Sequence, residues 1–162
     1  MAATYEPIAT TTLGSASASV TFSSISGSFT DLILVCQGKL VTGTVNNNIR
    51  FNSDTSTNYS RTYMYGNGTG AYSGRTSNET YLAFPYWDTT NGMTIIQIMN
   101  YSNTTTYKTA LSRNSQPAGT TTTEVGLWRN TNAINAIELF RSGSSDFAAG
   151  STFTLYGIKA AI

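Results

Sequence analysis

The sequence predicts an all-β protein, a two-sheet antiparallel sandwich of about ten short strands, with jelly roll preferred over an immunoglobulin-like arrangement. Three observations carry this reading. The first is composition: 28 Thr, 19 Ser and 14 Asn make up 61 of the 162 residues, and only 10% of residues are charged. Solvated helices lean on Glu, Lys and Arg, whereas Thr, Tyr, Phe, Val and Ile suit the pleated surface of a sheet. The second is alternation, since apolar and polar residues exchange places every second position in short runs. The third is punctuation by Gly, Asn and Ser clusters, with no helical period between them. With 40% hydrophobic residues and a net charge of +1, the chain has the means to fold around a core.

Residues 1–14 read as an extended arm, because Pro7 discourages both helix and central strand, and residues 15–162 read as a single β-sandwich domain. The first strand is Ser17–Phe22, where Ala18, Val20 and Phe22 alternate with small polar residues. Asp31–Gln37 follows, apolar on both faces, as in a strand covered on both sides or facing an interface. Gly43 and the Asn46-Asn47-Asn48 run read as a turn before the short strand Ile49–Phe51. Tyr59–Tyr65 is a strand with Tyr59, Arg61, Tyr63 and Tyr65 on one face. Gly66, Gly68, Gly70 and Gly74 mark a long loop reaching about Asn78.

Glu79–Phe84 is a strand stopped by Pro85, and Asn91-Gly92 is a turn pair that tolerates positive φ. Met93–Met99, Thr106–Ser112, Val125–Arg129, Ile134–Phe140 and Thr152–Ala160 complete the set, with a Gly/Thr loop over Arg113–Thr123. That number of strands suits two packed sheets, and the absence of a Cys-Trp-Cys marker places the immunoglobulin-like arrangement second.

Composition also removes function classes. Without histidine there is no Ser-His-Asp or Cys-His catalysis and no His-ligated metal. The single cysteine, Cys36, lies in the most apolar strand and reads as packing, because no base is at hand to activate it. Eight scattered carboxylates carry no glycosidase signal, since some pair among eight can always be brought together by folding. Asp54-Thr55-Ser56-Thr57-Asn58 starts like a calcium loop, but Tyr65 stands where the bidentate acid belongs. Five N-glycosylation sequons are close to the roughly four that chance gives so Asn- and Thr-rich a chain. Near-zero net charge offers no footprint for nucleic acid, and no apolar run is long enough for a membrane helix. The opening residues lack the basic-then-apolar pattern of a secretory signal, so synthesis in a reducing cytosol is expected. The expectation is a protein that is not an enzyme and has no cofactor.

The aromatic residues divide between two roles. Trp87 and Trp128 read as core. Tyr59, Tyr63 and Tyr65 fit either the core or a partner-binding platform, with Arg61 on their face unlike a buried side chain. Tyr5, Pro7 and Ile8 in the arm are the other candidate contacts. An extended segment adds its backbone to a sheet edge and seats alternate side chains on a capsid or a neighbouring subunit. The alternative is that the arm forms the domain's own first edge strand.

The opening Tyr5-Glu6-Pro7-Ile8-Ala9-Thr10-Thr11-Thr12-Leu13-Gly14, then Val20–Ile25 and Phe29–Leu34, Ile49-Arg50-Phe51-Asn52, Met99–Ser102 and the ending Phe147–Ile158 together carry a resemblance. Over nearly its whole length the chain resembles small virion structural proteins of tailed bacteriophages. The resemblance implies a β-sandwich decoration (cement) protein on the outer capsid surface or a β-domain of a tail fibre, often trimeric. It implies the major capsid protein and other copies of the chain, as a homotrimer, for partners, with synthesis in the host bacterial cytoplasm. It brings no catalytic signature and no functional residues. The alternative it leaves is a receptor- or glycan-binding domain of a tail fibre or head fibre, and only there is a host glycan expected as ligand.

Overall fold

A computed structural model describes residues 5–116, 119–141, 143 and 145–159. Twelve strands follow one another among them: β1 (Tyr5–Thr12), β2 (Ser19–Phe22), β3 (Asp31–Gly38), β4 (Val45–Phe51), β5 (Tyr59–Gly66), β6 (Ala71–Glu79), β7 (Leu82–Trp87), β8 (Gly92–Met99), β9 (Lys108–Ser115), β10 (Thr121–Trp128), β11 (Ile137–Arg141) and β12 (Thr152–Ile158). They form two antiparallel sheets. One has eight strands in the order β1-β12-β3-β8-β9-β10-β5-β6, the other four in the order β2-β11-β4-β7. The chain is the all-β, two-sheet antiparallel structure that its alternation predicts.

Alternation explains the core directly. In β3, Leu32, Leu34 and Cys36 point inward and are buried, while Ile33 and Val35 face out and are half-buried. Inward residues of the larger sheet, including Ile96, Ile98, Phe153 and Leu155, meet Val20, Phe22, Ile49, Phe51, Phe84 and Leu139 of the smaller one. Two aromatic groups anchor the ends of this core. Trp87 stacks on Phe153 and meets Phe147 edge-on, and Trp128 lies parallel to Tyr59 against Phe51. Both tryptophans are fully buried. Each indole N–H has a partner, Trp87 donating to Thr94 Oγ1 at 3.0 Å and Trp128 to Asp54 Oδ2 at 2.8 Å. Cys36 is buried, and burial pushes its thiol pKa up.

Four expectations need correction. Residues 5–12 are not a free arm. They form β1, paired antiparallel with β12 along its length, so the edge-strand alternative describes them. Thr10 and Thr12 meet Thr154 and Thr152 through their hydroxyls, and Lys159 reaches Glu6 at 2.8 Å. Pro7 is accommodated because β1 is at the sheet edge and its register shifts between Pro7 and Ala9.

The glycine-rich stretch after Tyr65 is a tight hairpin rather than a long loop, and β6 is a full strand paired with β5. Gly74 is where Tyr63 lies across the neighbouring strand, and a side chain there would collide with its ring. Asn46-Asn47-Asn48 belongs to β4 instead of a turn, with Asn47 and Asn48 buried between β11 and β7. Pairing on both sides overrides the turn preference of asparagine. The strand before Pro85 also continues through it to Trp87, again at a register shift that absorbs the missing donor.

Candidate functional site

The eight-stranded sheet is wider than the four-stranded one. Its β6 and the Tyr63–Gly66 end of β5 are less covered than β10, whose inward Thr122, Glu124 and Trp128 are buried, and the inward face of β5 changes character along its length. Tyr59 is completely buried, while Arg61, Tyr63 and Tyr65 are only partly buried. Tyr59 is thus a core residue, which corrects its assignment to partner binding. Its hydroxyl accepts the Phe51 N–H at 3.1 Å and lies near the Phe51 and Asp54 carbonyls at 3.4 and 3.3 Å.

The other three line a cleft of about 170 Å³ together with Asn46, Tyr86, Thr120, Thr122 and Glu124. On one wall stand Tyr63 and Tyr65, and with Tyr72 outside the cleft they form a ladder of near-parallel rings, with centroids 6.4 and 5.0 Å apart. The Arg61 guanidinium extends the ladder, 4.8 Å from the Tyr63 ring centre. Arg61 Nη1 donates to both Glu124 oxygens at 3.0 Å and to the Ala83 carbonyl at 2.8 Å. This ion pair forms the floor. Glu124 is only 3% exposed, and its burial pushes the carboxyl pKa up against the opposing pull of Arg61, to about 7.

Sequence reasoning found Arg61, Tyr63 and Tyr65 but missed Glu124, Asn46 and Tyr86. For Glu124 a signal existed: Thr122, Glu124 and Gly126 share alternation with buried Trp128, so the acid had to face inward. Nothing in the sequence paired Asn46 with Tyr86, which β4 and β7 bring together from distant positions in the chain.

No family model, no curated protein and no solved structure matches the chain.

The second surface is the outward face of the eight-stranded sheet. The strand registers align one row of outward residues across all eight strands: Pro7, Tyr156, Ile33, Gln97, Leu111, Val125, Thr62 and Arg75. A second row runs Thr10, Thr154, Val35, Ile95, Arg113, Thr123, Met64 and Ser73. Arg75 and Arg113 are the only charges in the two rows. Leu111, Val125, Met64 and Met93 are exposed on this face. Tyr5, also exposed, stands opposite Ile158 at its β1 end. Ile8, partly buried, is packed against the core and is part of what holds β1 in place.

Among the described residues no group of three or more His, Cys, Asp or Glu side chains could hold a metal ion. The Asp54 carboxylate accepts bonds from the Ser56 N–H, the Asn58 amide and the Trp128 indole, so the segment resembling a calcium loop closes on its own donors.

Proposed function

We propose that this protein is a non-enzymatic virion structural protein of the tailed-phage type, a jelly-roll capsid decoration protein. In this reading it seats the outward face of its eight-stranded sheet on the major capsid protein at the outer capsid surface. The observation that carries the reading is that face, broad, with Arg75 and Arg113 as the only charges in its two rows, and left uncovered by the four-stranded sheet. Strands spaced about 4.8 Å apart make it about 35 Å wide, and their length makes it about 25 Å tall. The resulting area, about 900 Å², is what one partner contributes to a stable protein interface of standard size, about 800 Å². Threonines between the apolar side chains supply hydrogen-bonding groups with no charge for salt to screen, which suits a particle exposed to varied ionic strength.

Homotrimerisation belongs to the same reading. Tyr5 and Pro7, at the β1 end of the face, are placed to meet a neighbouring copy while the centre meets the shell. The deciding experiment is quantitation of the protein in purified virions. Hundreds of copies per particle are expected, whereas a handful would assign the domain to a tail fibre or head fibre. A Leu111→Lys, Val125→Glu double variant that folds normally should no longer join particles, and normal incorporation would overturn the proposed face.

A further inference from the structure

We propose that the cleft between β5, β10 and the β4–β7 pair is a saccharide subsite holding one neutral pyranose ring. It lies on the inward side of the sheet extension, so it stays open when the opposite face is docked and does not depend on the decoration reading.

Three features point to this class of ligand. The first is the tyrosine wall. A pyranose presents a flat patch of axial C–H groups that packs on aromatic faces, and Tyr65 and half-exposed Tyr86 give the cleft aromatic surface beside hydroxyls. The second is the polar set next to it. The hydrogen bonds of Arg61 among the described residues all run through Nη1. With the Asn46 amide and Glu124 it lines the cleft with planar donor and acceptor groups of the kind that bind sugar hydroxyls. The third is size and charge. A cleft of about 170 Å³ suits a single ring, and the two charged side chains lining it, Arg61 and Glu124, are bonded to one another rather than left free to pair with a charged ligand.

The floor itself argues for use. A buried ion pair gains little stability over well-packed apolar residues, so Arg61–Glu124 is a poor choice for holding a sandwich together. It is a good choice for presenting fixed polar groups to a ligand.

The test is an NMR titration of the full chain with methyl α-glucopyranoside, methyl β-galactopyranoside and N-acetylglucosamine. At least one should shift the backbone amides of Tyr63, Tyr65, Tyr86 and Thr122 with a millimolar Kd, as expected of so small a ligand. Tyr86→Ala, which removes an exposed side chain, should weaken binding at least about tenfold without altering the melting temperature. Tyr65→Ala should weaken binding likewise, and Tyr5→Asp on the opposite face should leave binding intact. If none of the three sugars moves those amides at about 50 mM, the inference fails. Shifts that survive both tyrosine variants would overturn it equally.

Discussion

The Trp128 indole donates to Asp54 at 2.8 Å, joining the loop after β4 to the last residue of β10. The contact fixes more than two side chains. Asp54 also holds the Ser56 N–H at 2.9 Å and the Asn58 amide at 3.1 Å, so one carboxylate closes its loop and satisfies a buried indole. Replacing Asp54 by Ala leaves that N–H without a partner and should cost about 1–3 kcal/mol in urea denaturation, whereas Asn should recover part of the loss.

Asp54 also sets an acid limit. Burial raises its pKa, but the hydrogen bonds from Ser56, Trp128 and Asn58 outweigh it and lower the value to about 2. A carboxylate depressed in the folded state favours folding above its unfolded pKa of 3.8 and loses that contribution as pH falls toward 2. Urea midpoints between pH 5 and pH 2 should fall less steeply in Asp54→Asn than in the wild type.

Glu124 has the opposite sign. Its folded pKa of about 7 stands above the ordinary value of 4.5, so the folded chain holds this proton more tightly than the unfolded one. Its contribution is full below pH 4.5 and is lost as pH rises through 7, an effect of up to about 3 kcal/mol. In Glu124→Gln that slope should vanish and stability at pH 8 should equal or exceed the wild type. Arg61→Met, which strands a buried carboxylate, should be the more damaging of the two at pH 8.

Gly157 faces inward beneath the Phe29 ring, and a Cβ there would overlap it. Gly157→Ala should therefore destabilise the protein by about 1–3 kcal/mol through overpacking. Gly14→Ala, where nothing lies close, should be nearly neutral in the same thermal melts.

Deletion of residues 2–12 removes β1, exposes the edge of β12 and takes Ile8 away from the core. The expected outcome is a chain that loses cooperative unfolding or aggregates. Tyr5→Asp should fold normally, because Tyr5 is exposed. Light scattering at tens of micromolar should give a homotrimer for the wild type and a smaller species for Tyr5→Asp. A monomeric wild type would refute trimerisation of the free protein.

The sequence by itself determined the fold class, the strand positions of β3, β8 and β12, and the structural role of Cys36 and both tryptophans. These are matters of period-2 alternation, which a strand displays over a few neighbouring residues. It also placed Tyr59, Arg61, Tyr63 and Tyr65 on one face. What only the tertiary structure decided is how deep each of them lies. Alternation names the face, whereas burial along it depends on where the opposing sheet and its loops end over β5. Tyr59 falls under the cover and Tyr63 and Tyr65 fall beyond it. The same distinction accounts for β1, β6 and the asparagines of β4. Their local chemistry favours arm, loop and turn, and partners from distant parts of the chain make strands of them by supplying hydrogen bonds that no short stretch can supply for itself.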